Sequence, residues 1–396
     1  MEQIYLEYRA LLESLNPIFR RDFIDEIDWN EPLVFILGSR GVGKTTLILQ
    51  HIKEIFGLNT KALYLSMDDL SLANFTLIDL AKQHVQLGGT HLFIDEIHKY
   101  NNWSQELKNI RDKIKDLKVV VSGSSILDIQ KGNADLSRRS VIYKLHGLSY
   151  REYLNIELDL KLPSISLEEI LSNHVEIASD FAKQFKPLQH FGAYLKNGYF
   201  PFYLEGLSSY HHKLNNVLNV VLAQDLALLE SIELSKIPKI RKLIYLLSVQ
   251  VPYQPNITKL AAALEIDRIT LLNYLTSLEN ASVLYLARMQ GKFYTQLTKP
   301  DKIYLQNTNL LYLSQPSVNI GTLRETFFVN QVSQKYALTL ATKGDFVIND
   351  SHTVEVGGTS KDFKQISKIE NSFLALDDLP VGIGNKIPLW LFGFLN

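Results

Sequence analysis

Two short runs of this sequence carry residue types whose spacing could do phosphate chemistry. Gly38-Ser39-Arg40-Gly41-Val42-Gly43-Lys44-Thr45 fits G-x-x-x-x-G-K-[ST] at every fixed position. Glycines let the chain adopt positive-φ conformations, so successive N–H groups can converge on one phosphate-sized space, and a following helix N-terminus adds a favourable dipole. Lys44 would neutralise the β- and γ-phosphates, the Thr45 hydroxyl would bind magnesium, and Thr46 completes the loop's binding set. The second run is Leu92-Phe93-Ile94-Asp95-Glu96. An apolar strand that ends in adjacent carboxylates delivers them to the crevice where ligands bind in parallel sheets. Asp95 would hold the magnesium, usually through water, and Glu96 would orient or deprotonate the attacking water. ATP and Mg2+ are therefore the expected ligands.

Two further groups are candidates for the same chemistry. A strand ending in Ser122-Gly123-Ser124-Ser125 would place Ser122 or Ser124 near the γ-phosphate or the water, the alternative being a serine-rich turn. Arg138 and Arg139 offer guanidinium groups for charge building on a transferring phosphoryl group, supplied in cis or by a neighbouring subunit. The competing reading for either arginine is a surface ion pair.

The elements that must position these residues alternate. Leu33 to Leu37 reads as a buried strand, Thr45 to Phe56 as a helix stopped at Gly57, Ala62 to Ser66 as a strand and Asp79 to Gln86 as a helix. A strand over His91 to Ile94, a helix over Trp103 to Ile114 and a strand at Val119 to Val121 follow. A helical lead-in from Met1 to about Phe23 precedes them. This pattern predicts a P-loop parallel sheet with helices on both faces over 1–155. A mostly helical region is expected over 156–310. Within it, helices at Ile237 to Val249, Ile257 to Leu264 and Ile269 to Asn280, then a β-rich piece from Val283 to Leu305, match a winged helix-turn-helix at about 237–305. Its second motif helix offers Arg268, Thr270, Asn273, Tyr274 and Ser277 as outward residues, with Arg288 and Lys292 in the wing. A small α/β module is expected over 311–396, with a helix from about Leu323, strands at Asp345 to Ile348 and Thr353 to Val356, a helix near Lys361 to Lys368 and short terminal strands.

Composition narrows the partners. Of 396 residues, 41 are basic and 42 acidic, so a nucleic-acid site would have to be a local patch. There is no cysteine, which excludes disulfides, thiolate metal sites and cysteine nucleophiles. No apolar run approaches the ~20 residues of a membrane helix, and the amphipathic start does not read as a secretory signal, so a cytoplasmic protein without a membrane partner is expected. His98 and the pair His211-His212 lack metal-site spacing and read as surface or core-edge residues.

The two runs, the serine turn, the Arg138-Arg139 region and Leu148-Ser149-Tyr150-Arg151-Glu152-Tyr153-Leu154 resemble the bacterial and archaeal AAA-like P-loop ATPases that join an ATPase module to a C-terminal domain of unknown function. The resemblance runs the length of the chain and implies that the C-terminal part is similar to a restriction-endonuclease-like fold. Glu325, Asp345 and Glu355 are the acids such a fold would use for metal. In that pattern a lysine two positions after the second acid helps activate water, and here Gly357 stands there, so a scaffold without cleavage activity is expected, with Lys361 or Lys364 as the substitutes to consider. The expected activity is an ATP-hydrolysing switch or motor. Duplex DNA on the winged helix, a protein partner or a second copy of the chain are its candidate partners. A nucleotide-gated DNA-binding or signalling regulator with slow hydrolysis is the alternative, and a DNA nuclease comes third.

Overall fold

Leu33–Leu37 supplies five consecutive apolar residues, and all of them are buried, as a central strand of a parallel sheet requires. In the computed structural model, residues 1–72, 74–124, 136, 138–226, 232–250, 255–289, 299–313 and 317–395 are described. They divide into two units, Met1–His146 and Gly147–Asn396.

In the first unit, β1 (Leu33–Leu37), β2 (Ala62–Ser66), β3 (His91–Asp95), β4 (Lys118–Gly123) and β5 (Val141–Lys144) form a sheet of order β2-β3-β4-β1-β5. Every pairing in it is parallel. Among its described residues the unit carries the helices α1 (Glu2–Ser14), α2 (Phe23–Glu26), α3 (Lys44–Ile55), α4 (Leu77–Gln86) and α5 (Trp103–Lys113), with short 3-10 turns between them. The expected lead-in helix stops at Ser14, not near Phe23. Leu15 is already extended, and Pro17 two residues later has no N–H to continue a helix and disfavours helical backbone at Asn16. α3 ends as expected: Gly57, at φ 58°, donates its N–H to the Ile52 carbonyl at 3.2 Å.

The second unit opens with α6 (Tyr150–Leu158), whose start is fixed by a capping box between Ser149 and Glu152. Tyr150 of this helix is buried among Phe191, Tyr194 and Phe394. α7 (Leu167–Gln184) and α8 (Leu207–Val220) follow, then α9 (Ile237–Gln250), α10 (Ile257–Leu264) and α11 (Arg268–Asn280). β6 (Leu284–Ala287) pairs antiparallel with β7 (Lys302–Leu305). After α12 (Ile320–Val332), β8 (Leu338–Leu340), β9 (Phe346–Ile348), β10 (His352–Gly357), β11 (Ser372–Leu376) and β12 (Lys386–Pro388) make a sheet in that order. It is mixed: β8, β9 and β10 are antiparallel, whereas β10, β11 and β12 are parallel.

One expected element is absent here. Lys361 to Lys368 is a chain of turns and no helix. Polar side chains take the backbone groups a helix would use: Asp362 accepts the Lys364 N–H, and Ser372 donates to the Ile366 and Ile369 carbonyls. Among the described residues no helix is long and apolar enough to cross a membrane.

Candidate functional site

The carboxyl ends of β1, β3 and β4 lie side by side, since β4 pairs with both neighbours. The loop Gly38–Gly43 leaves β1 there and α3 begins at Lys44. Gly38 is obligatory: a Cβ on it would lie 2.3 Å from the Leu145 carbonyl oxygen. Gly41 and Gly43 take φ values of 83° and 95°, the left-handed region that glycine enters without steric cost. Lys44 Nζ donates to the carbonyls of Gly38 and Ser39 at 2.8 and 3.1 Å, and Val42 is fully buried under the loop. Arg21 from the lead-in, itself buried, donates to the carbonyls of Val42 and His146 at 3.3 and 3.2 Å and so braces the loop from outside the motif. Thr45 and Thr46, on the first turn of α3, are exposed.

Asp95 is 2 % exposed and its carboxylate is surrounded by hydroxyl donors. Thr45 Oγ1 donates to its Oδ2 at 2.6 Å and Tyr64 Oη to the same oxygen at 2.8 Å. Ser122 donates to Oδ1. Burial, then the Asp95 charge, pushes the Tyr64 phenol above its usual range, so it stays a donor. The Glu96 N–H donates to Asp95 Oδ1 and to Ser122 Oγ, each at 3.2 Å, which ties the two adjacent acids to β4. Ser122 is therefore the hydroxyl that meets the acid pair, while Ser124 is buried just past the end of β4. Ser125 lies outside the described residues.

Glu96 has φ 53°. Its Oε2 lies 3.7 Å from an Arg40 guanidinium nitrogen and 3.4 Å from His98 Nε2, and those two groups are 3.5 Å apart. His98 is thus buried beside the acid pair, which fits the core-edge alternative and not the surface one. Tyr64, His98, Arg21 and the Arg40 side chain were missed from sequence. Tyr64 had one legible cue, a tyrosine inside an apolar strand, where a hydroxyl needs a partner.

Arg138 and Arg139 stand elsewhere. They precede Val141, the first residue of β5, and with Glu31, Pro32, Arg111, Ser140 and Val141 they line a cavity of about 380 Å3. Arg139 pairs with Asp112 at 2.5 Å, and both side chains are exposed. Pro32 and Val141 mark the amino ends of β1 and β5, and the loop leaves the carboxyl end of β1. A five-residue strand at about 3.3 Å per residue puts roughly 15 Å between the two ends, beyond an arginine's reach.

In the second unit, Glu325, Asp345 and Glu355 are neighbours but are held differently. Glu325 accepts from Tyr304 Oη at 2.6 Å and lies 3.4 Å from Lys302 Nζ. Asp345 accepts the Val356 N–H at 2.8 Å. Glu355, 1 % exposed, pairs with Lys361, whose stem lies over Gly357: a Cβ there would meet Lys361 Cβ and Cγ at 3.0 Å. Lys364 instead pairs with Asp362 at 2.8 Å. Burial raises the pKa of both Glu325 and Glu355, Asp345 adds to the rise, and the lysines oppose it. No group of three or more His, Asp or Glu side chains among the described residues is arranged to hold a metal ion. On α11, Arg268 and Asn273 are exposed and Thr270 is half-buried, but Tyr274 and Ser277 are buried, contrary to the outward placement expected of them. Arg288 donates to the Leu286 carbonyl at 2.9 Å and lies 3.6 Å from Glu279, and Lys292 is outside the described residues.

Comparison with known proteins bears on the first of these sites. A family model described as an AAA domain matches residues 30–154, a span that holds β1 to β5, the glycine-rich loop and the acid-bearing run. Residues 30–154 are an AAA-type P-loop domain. A second model, a domain of unknown function (DUF8612), matches residues 188–315, across α8 to α11 and the β6-β7 pair. The uncharacterized protein MJ1637 of Methanocaldococcus jannaschii is 28% identical over 315 residues, 76% of this chain and 65% of that protein. The chain therefore matches just under two thirds of that relative's length. Among solved structures, AMPPCP-bound DnaA from Aquifex aeolicus is 17% identical, with 70% of this chain and 87% of that one covered and a TM-score of 0.25. A variant of RuvB from Thermotoga maritima is 18% identical, with 73% and 90% covered and a TM-score of 0.26. Superpositions of that quality do not tell one architecture from another, and the assignment of the AAA domain rests on the family match and the sheet.

Proposed function

We propose that the AAA domain binds magnesium-ATP and hydrolyses it, and that this cycle works a switch or motor. The observation that carries the reading is the 2.6 Å hydrogen bond from Thr45 to Asp95, which joins the P-loop helix to the acid-bearing strand. The residues fit the cofactor: a hydroxyl and a carboxylate already in contact would hold magnesium, and the loop's N–H groups and Lys44 would take the phosphates. When bound, magnesium would offset charge on the phosphate oxygens. Glu96, adjacent to Asp95 and tied to Ser122, would orient the attacking water and take its proton. Arg138 and Arg139 lie too far from the loop of their own chain, so either of them acting on phosphate would do so in a neighbouring copy.

In this reading Lys44→Ala abolishes nucleotide binding, while Arg138→Ala with Arg139→Ala lowers turnover but spares binding. Turnover of the double variant equal to wild type would remove those arginines from the site.

A second reading, a regulator in which slow hydrolysis times a conformational state, draws support from α11. With Tyr274 and Ser277 buried, Arg268 is the one basic residue among the five helix positions expected to face outward, and duplex binding normally needs several phosphate contacts. It predicts turnover indifferent to duplex DNA, and strong stimulation by DNA would favour a DNA-directed motor. For the C-terminal sheet we propose a scaffold without nuclease activity, because lysine partners occupy two of the three acids that a metal would need, Glu325 and Glu355. Plasmid cleavage in magnesium or manganese, lost in Asp345→Ala, would contradict it.

A further inference from the structure

Arg40 occupies the third position of the phosphate-binding loop, yet its guanidinium turns to Glu96. The Glu96 carboxylate is 14% exposed, and its buried Oε2 accepts no hydrogen bond among the described residues. What holds it is charge and proximity: Arg40 at 3.7 Å and His98 at 3.4 Å, both outside normal hydrogen-bonding distance. Such a contact is strong enough to place a carboxylate in a partly buried site and loose enough to be exchanged. The same guanidinium is carried by the loop that would receive a triphosphate, a denser negative charge than a single carboxylate and one that arginine pairs with in its forked geometry.

We propose that Arg40 is a latch that partitions between Glu96 and the γ-phosphate end of a bound triphosphate, with His98 as the fixed wall against which Glu96 is held. While Arg40 holds Glu96, the carboxylate is not available to orient water. When Arg40 moves to the phosphate, Glu96 is released. The latch rests on the ATP reading of this loop and adds to it a positioning residue that couples triphosphate binding to the catalytic acid.

The competition can be read without turnover. Affinity of the full chain for a fluorescent ATP analogue is measured for wild type, Glu96→Gln, Arg40→Ala and the double variant, with kcat and KM for ATP taken on those that hydrolyse. Removing the Glu96 charge frees Arg40 for phosphate, so Glu96→Gln tightens analogue binding by roughly threefold or more in the wild-type background and gives no gain in the Arg40→Ala background. Arg40→Ala raises kcat and raises KM together, and Arg40→Lys restores part of both. A Glu96→Gln gain of equal size in both backgrounds overturns the latch, as does an Arg40→Ala enzyme with kcat at or below wild type.

Should Arg40→Ala lose analogue binding altogether, His98→Ala decides, since His98 is outside the loop. A raised kcat supports the latch and an unchanged one overturns it. Failure of the ATP reading looks different: Lys44→Ala would then bind the analogue as well as wild type.

Discussion

At the end of β3, Asp95 is met by the hydroxyl groups of Thr45, Tyr64 and Ser122, whereas at the C-terminal sheet Glu355 is met by the ammonium group of Lys361, and Glu325 on α12 has the Lys302 ammonium 3.4 Å away beside its hydrogen bond from Tyr304. Both places gather carboxylates beside a sheet. Hydroxyl donors bring no opposite charge to the acid, and Thr45 can turn a lone pair toward a cation. Ammonium groups compete with any cation for the same oxygens. On the proposed function, the difference separates a site that would take a positively charged ligand from one where lysines already stand beside two of the acids, although the sequence offers acids in both.

The largest effect that could break this comparison is on nucleotide binding. Lys44→Ala should weaken ATP by about a hundredfold or more in titration calorimetry, because a desolvated charge-assisted contact to phosphate is lost. Removing acids from the second region by Asp345→Ala should leave that affinity unchanged.

Stability should respond in the opposite way. Lys361→Ala strands the buried Glu355, and since Lys361 is 37% exposed, solvent screening limits the cost to about 1 kcal/mol in denaturant unfolding, with ATP affinity preserved. The pH dependence sharpens the point. Burial raises the pKa of Glu325 and Glu355 in the folded chain, so between the ordinary carboxylate range and their raised values the folded state binds more protons than the unfolded state. Their contribution to stability therefore falls as pH rises through that window. Glu325→Gln with Glu355→Gln should flatten the corresponding decline in melting temperature, measured from about pH 4.5 upward.

The smallest predicted effect belongs to Tyr64. Tyr64→Phe removes one donor to Asp95, worth about 1 kcal/mol, and should raise the KM for magnesium-ATP a few-fold without changing affinity for the nucleotide in EDTA.

The strand-to-helix setting of the loop and the place of the acid pair at the end of β3 were legible because they depend on local order: a glycine spacing between a strand and a helix, and carboxylates at the end of an apolar run. Tyr64, His98 and Arg40 were not, because their partners come from register and side-chain direction. Tyr64 reaches Asp95 only because β2 packs in parallel register on β3, with Ser66 opposite Asp95. β5 was missed for a related reason: this four-residue edge strand is short and alternates between half-buried and exposed positions, so its place comes from pairing with β1. At Lys361 to Lys368, the turn-forming Asp362 and the reach of Ser372 into backbone carbonyls outweighed a weak helical pattern. Gly357 was noticed as a missing lysine, but that Lys361 would lay its stem across the same space depends on that loop's turns.

The central claim is that Glu96 does hydrolytic chemistry beside a magnesium site made by Thr45 and Asp95. The most direct test is single-turnover ATP hydrolysis by Glu96→Gln alongside its affinity for ATP. The account predicts turnover reduced by about two to four orders of magnitude with ATP binding kept or tightened. Turnover at the wild-type rate would contradict it.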